Sequence, residues 1–231
     1  LEGALSQIRS NLETFVEVGL ETKERVDKVL SNIRISVDLK EAVKGAHFVI
    51  EAAPEDLILK MNLFEELDQY CPKEIILASN TSTLPISEIG SKAKEKERLV
   101  ITHWFNPPHI LPTVEVVRGV ATSEEVFQTS FNLMRKIGKK PVKILREVPG
   151  FLINRIQTAM SREIFSLIEQ GVAEPEDIDA AVKGSFGLRL ATLGPLATMD
   201  MAGLDLLYKG MKYLYPFIDR STEVQKILED K

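Results

Sequence analysis

The sequence predicts an α/β chain: a parallel sheet with helices on its faces over residues 1–148, followed by an all-α part over 149–231. Three observations lead there. Short, near-continuous apolar runs alternate with helical stripes in the first half, the pattern of strands covered on both faces. From Gly150 onward only helical stripes are found, and the composition shifts at Val148-Pro149-Gly150.

The chain opens with Leu1, Leu5, Ile8, Leu12 and Phe15 at helical spacing. Because it starts inside a helix, and not with Met, a further N-terminal segment is expected ahead of it, with any targeting peptide. Five apolar runs read as buried strands: 46–53, 74–79, 98–105, 114–117 and 141–145. Between them, Leu57, Met61, Phe64 and Leu67 form one helical stripe. Val126, Phe127, Ser130, Met134 and Ile137 form another, with Gly138 as its stop signal. In the second half, Ile153, Ile156, Met160, Ile164 and Leu167 make a long stripe, and Leu204, Leu207, Met211 and Leu214 another. Both are expected to be core. Glu174-Pro175-Glu176-Asp177 reads as a helix start, with proline in the first turn and acids at the positive end of the dipole.

The 231 residues are 44% hydrophobic and 27% charged, with a net charge of -5 and a pI of about 5.4. An acidic surface gives no basis for nucleic acid or anionic membrane as a partner. No apolar run approaches the roughly 18 residues that span a bilayer. The single cysteine, Cys71, cannot form an internal disulfide and reads as a small buried hydrophobe. It points to a reducing compartment, the cytoplasm, or the mitochondrial matrix if a targeting segment belongs to the protein.

Open α/β sheets take ligands beyond the carboxyl ends of their strands. Three polar strand ends, Glu51–Glu55, Ser79–Thr83 and His103–Pro108, are therefore expected to share one crevice. Among three histidines, His47 sits in a strand pattern and reads as structural, and His109 lies in a proline-flanked loop and reads as solvated. His103 ends an apolar strand. Glu115 follows in the next strand between valines, where an acid is costly to bury unless paired. With the two strands close, that carboxylate would fix the imidazole's tautomer and orientation and stabilise its protonated form, as a general base for an alcohol requires. Asn154, at the start of the long helix after Pro149-Gly150-Phe151, serves equally well as a helix-start hydrogen-bonding group or a site residue.

Taken together, SNTSTL (79–84), THWFNPP (102–108), VEVV (114–117) and PGFLINR (149–155) resemble, in order and spacing, the 3-hydroxyacyl-CoA dehydrogenase family. VIEAAPEDLILK (49–60) and residues 184–207 are similar to it as well, so the resemblance covers nearly the whole chain. It implies a Rossmann-type NAD-binding domain over 1–148 and a helical substrate and dimerisation domain over 149–231. It also implies NAD as cofactor, an acyl-CoA substrate, a homodimer and a place in fatty-acid β-oxidation. His103 would take the hydroxyl proton and Glu115 would be its buried partner. Ser82 would hydrogen-bond the substrate's 3-oxygen from a position bordering the cofactor, and Asn154 would hold the carbonyl region. Glu55, Lys60 and Asn106 would lie on the cofactor side. The family's G-x-G-x-x-G turn has no counterpart here, so one strand–helix–strand unit of roughly 30 residues is missing from the pattern. Other readings stand beside this one. Some members of the family oxidise hydroxy acids that are not thioesters, such as L-gulonate or carnitine. The same fold can also serve as a structural protein. Ser82, His103 and Glu115 could form a hydrolase triad, but no G-x-S-x-G elbow is present.

Overall fold

The computed structural model describes residues 2–228 and divides into two compact units, 1–149 and 150–231. The first begins with α1 (Glu2–Glu17), α2 (Lys23–Ser31) and the short α3 (Leu39–Ala42), and then alternates strands with helices: β1 (Phe48–Glu51), α4 (Leu57–Tyr70), β2 (Ile76–Ser79), α5 (Ile86–Ile89), β3 (Leu99–Trp104), β4 (Thr113–Val117), α6 (Glu124–Lys136) and β5 (Lys140–Ile144). Local chemistry marks the boundaries. The Asp56 carboxylate accepts the Leu59 N–H at 2.8 Å to start α4. The Ser123 hydroxyl accepts from Val126 N to start α6, whose first turn is acidic and last turn basic. Gly138 ends it at φ +86°, a conformation glycine adopts without cost.

The strands lie in the order β1-β2-β3-β4-β5. All neighbours are parallel except β3 and β4. The sequence reading expected a parallel sheet throughout this region. The exception has a simple cause: only residues 105–112 join β3 to β4, too few for the crossover a parallel pair needs, so the chain reverses. The core on one face gathers Ile76, Ala78, Val100, Val114, Val116, Phe127 and Met134, with α6 as its cover. On α4 the buried residues are Lys60, Phe64 and Leu67. A lysine thus occupies a core position of the stripe. His47 lies just ahead of β1 and is exposed, outside the strand in which the sequence reading placed it.

The second unit is helical: α7 (Ile153–Glu169), α8 (Pro175–Val182), α9 (Leu188–Thr192), α10 (Pro195–Ala202) and α11 (Leu204–Leu214). Pro175 opens α8 and Pro195 opens α10, the position where a missing N–H costs nothing. The apolar stripes expected to be core are not enclosed by this single chain. Ile156 is 53% and Met160 40% exposed, and Leu204 61%. Among the described residues of this unit only Phe151 is buried.

Candidate active site at the strand ends

His103 and Glu115 face each other directly across the antiparallel β3–β4 pair, so both side chains stand on one face of the sheet. Imidazole Nδ1 lies 2.8 Å from Glu115 Oε2, and both residues are buried. Because a carboxylate only accepts, the short contact assigns the proton to Nδ1. The Phe105 ring packs on the imidazole with centroids 4.6 Å apart.

The three strand ends anticipated as one crevice are tied together by hydrogen bonds. The Asn80 N–H donates to Glu51 O at 2.7 Å, and the Trp104 N–H donates to Asn80 Oδ1 at 2.9 Å. Asn80 therefore bridges the ends of β1, β2 and β3. Behind it lies a buried ionic chain. Lys60 Nζ donates to Glu51 Oε1 at 2.7 Å and to Ala53 O at 3.0 Å, and sits 3.5 Å from Glu55 Oε2. Ser79 Oγ donates to the other Glu51 oxygen at 2.6 Å. The Lys60 side chain is 1% exposed, so its ammonium is committed to protein acceptors.

Glu55 closes this network over the next loop. Its Oε1 accepts from Thr81 Oγ1 (2.6 Å), Ser82 N (3.0 Å), Thr83 N (3.0 Å) and Thr83 Oγ1 (2.9 Å). Burial opposes ionisation of Glu55. The bonds from Thr81, Thr83 and the Ser82 and Thr83 amides outweigh it and hold the carboxyl below its ordinary value.

Of the residues singled out by sequence, His103 and Glu115 are brought together as one pair, and Glu55, Lys60 and the Ser82 loop as one network. Asn106 is exposed in the loop after β3, and Asn154 is half-buried at the start of α7 in the second unit. Cys71 is buried, and burial pushes its thiol up, away from a nucleophilic thiolate. Sequence reasoning missed Glu51 and Ser79 as network members. The available signal was an acid closing an apolar strand nine positions before a lysine on the following helix.

The polar carboxyl edge of the sheet, with the half-buried Ser82 and the exposed Glu55 and Asn106, is the edge at which open α/β sheets take their ligands. The glycine turn that would cradle a dinucleotide's pyrophosphate is not among the 231 residues. This architecture defines a Rossmann-type NAD-binding domain followed by a helical unit. Residues 1–148 match the family described as "3-hydroxyacyl-CoA dehydrogenase, NAD binding domain" and residues 150–231 its C-terminal domain. The chain belongs to the 3-hydroxyacyl-CoA dehydrogenase family, whose cofactor is NAD.

Among curated relatives, the chain is 37% identical over 202 residues to 5-formyl-3-hydroxy-2-methylpyridine 4-carboxylate 5-dehydrogenase of Mesorhizobium japonicum, covering 87% of this chain and 65% of that protein. It is 40% identical over 204 residues to a 3-hydroxyacyl-CoA dehydrogenase of Gibberella moniliformis, covering 88% of this chain and 61% of the relative. The chain thus spans less than two thirds of the length of these two relatives. Among solved structures it is similar to that of a 5-formyl-3-hydroxy-2-methylpyridine 4-carboxylic acid 5-dehydrogenase, described as an NAD+-dependent dismutase. The TM-score is 0.81 and the identity 35%, over 87% of this chain and 71% of the other.

Proposed function

We propose that this chain is the catalytic part of an NAD-dependent dehydrogenase that interconverts a 3-hydroxyacyl-CoA and a 3-oxoacyl-CoA. The observation that carries the reading is the buried 2.8 Å contact between His103 Nδ1 and Glu115 Oε2. With Nδ1–H directed at the carboxylate, Nε2 is the basic nitrogen, and it takes the proton of the substrate's 3-hydroxyl. Glu115 stabilises the imidazolium that results and keeps the ring in one orientation. Ser82 hydrogen-bonds the reacting oxygen, and Asn154 holds the carbonyl region. Glu55 and Asn106 belong to the cofactor side, and Lys60, buried, acts there through Glu51 and Glu55. NAD, when bound, supplies the hydride acceptor, and the protein supplies placement and the proton acceptor. Among the described residues β1 is an edge strand, and the groove of about 400 Å³ that borders it supports the expectation of a further strand–helix–strand unit beside it. The apolar exposure of the second unit supports a homodimer.

A second reading has a specific support: the Mesorhizobium relative is named for a pyridine carboxylate, which is not a thioester. The test is NADH consumption by the full-length protein with acetoacetyl-CoA, beside 2-oxo and 3-oxo acids lacking CoA. Turnover on acetoacetyl-CoA, falling on the order of 10³-fold in His103→Gln, is the expected result. Turnover on the free acids alone moves the reading to the non-thioester class. Full turnover in His103→Gln removes the histidine from the mechanism.

A further inference from the structure

We propose that Lys139 is a positioning residue for the candidate base: it pins the connector between β3 and β4, and through the Phe105 ring on that connector it sets the plane of the His103 imidazole. The inference rests on His103 acting as the base of the reaction proposed above.

The connector, residues 105–112, has little to hold it from within. Pro107, Pro108 and Pro112 have no N–H to donate, and its internal bonds run from the Ile110 and Leu111 amides to the carbonyl of Pro107. Support comes from the turn that ends α6. Gly138, at positive φ, reverses the chain, and the Lys139 N–H returns to Met134 O at 3.0 Å. The Lys139 ammonium donates to Pro108 O and to Leu111 O, the latter at 2.9 Å, and stands 5.4 Å from the centre of the Trp104 ring. The next residue adds a backbone tie, from the Lys140 N–H to Pro112 O at 2.8 Å. At its other end the connector meets the base. The Trp104 N–H is fixed by Asn80, and the Phe105 ring packs on the imidazole. The contact between Nδ1 and Glu115 fixes one atom of the imidazole, while the last torsion of a histidine side chain is broad. The plane of the ring, and with it the direction of Nε2, is therefore limited by what packs on its face. Phe105 packs there, and the connector places Phe105. Misplacement of a reacting group by about 1 Å costs on the order of 10²-fold in rate, even when its cause lies far from the chemistry.

The experiment compares Lys139→Met, Phe105→Leu and the double variant in the full-length protein. Methionine keeps an unbranched side chain beside Trp104 and removes the donors. Hydrogen exchange of the peptide spanning 102–113, measured without cofactor, should accelerate in Lys139→Met. The second readout is kcat on the preferred substrate with cofactor and substrate both saturating, so that a changed affinity for either drops out. Lys139→Met should lower kcat roughly 10-fold in the wild-type background, and by less than about threefold once Phe105→Leu is in place, because the route to the imidazole is then already broken. A merely structural loss of folded protein would multiply both backgrounds alike. Equal factors in the two backgrounds therefore overturn the proposal. So does a connector that loosens with kcat unchanged, or one whose exchange is not altered by the substitution. A wild-type protein without dehydrogenase turnover would remove the proposed reaction and this role in it, and hydrogen exchange would still decide whether Lys139 holds the connector.

Discussion

Glu115 has no exposed surface and lies between two valines, so its charge must be answered inside the protein. His103 is the partner that answers it. Glu115→Gln keeps an acceptor for Nδ1–H but removes the negative charge that, in the proposed mechanism, stabilises the imidazolium. The expected result is a kcat lower by on the order of 10²-fold, with NADH binding largely retained. Glu115→Ala removes the acceptor as well and should also lower stability by about 1–3 kcal/mol in urea unfolding. Equal kcat in wild type and Glu115→Gln would mean that the pair is structural. This pair was legible in the sequence because both residues break an apolar strand, and neighbouring strands leave few ways to satisfy them. Lys60 was less legible. It fills a helix position on the buried stripe, and its partner Glu51 is recruited by tertiary packing of β1 against α4. The four-bond role of Glu55 toward the Ser82 loop was hidden for the same reason, since nearly thirty residues of sequence separate the two.

At the scale of elements, the end of α4 is secured by the residue just ahead of β3. Arg98, 2% exposed, donates to the carbonyls of Asp68, Cys71, Pro72 and Ile75 and to Asp68 Oδ1 at 2.8 Å. These carbonyls include groups a helix C-terminus leaves without intrahelical partners, and a cation there also suits the helix dipole. Arg98→Met leaves Asp68 without its cationic partner and several carbonyls without a donor, and should cost about 3–5 kcal/mol in urea unfolding. A loss within about 0.5 kcal/mol, the range of an ordinary surface substitution, would mean that water replaces the guanidinium at no cost. Burial opposes ionisation of Asp68. The hydrogen bond from Arg98, the Lys94 N–H and the Arg98 charge outweigh it and lower its pKa below the ordinary 3.8. The folded protein then holds this proton less tightly than the unfolded chain. Its contribution to stability is complete above pH 3.8 and is lost as pH falls through the lower folded value. Asp68→Asn should therefore unfold with a flatter acid limb than wild type, and parallel acid limbs would contradict the assignment. The direction of β4 belongs to this scale too. Apolar runs give strands without their sense, so the antiparallel pair escaped the pattern. The short connector 105–112 was the evidence that could have revealed it.

On the scale of the whole molecule, the two units differ in how much they enclose. The first surrounds a sheet with helices and buries Phe64, Leu77, Val100, Val114 and Met134 completely. The second carries helices of which α7 and α11 have one apolar side, yet Leu196 is 77% exposed, Leu206 66% and Tyr213 71%, and Phe217 just past α11 is 72% exposed. Helices of this kind gain their stability from covering the apolar side, because isolated helices of such length are marginal in water. Exposed apolar surface on this scale marks an interaction face, and the homodimer proposed above is the arrangement that covers it with the same surface from a second copy. The full-length protein should sediment as a dimer. A leucine that is exposed in a monomer tolerates replacement by glutamate within about 0.5 kcal/mol, whereas the same charge inside an interface must be desolvated against a copy of itself. Leu206→Glu should therefore shift the protein toward monomer and lower the second unit's resistance to proteolysis. A wild type that sediments as a monomer, with Leu206→Glu equally stable, would show that the helices stand without a partner copy and that their exposed leucines serve another purpose.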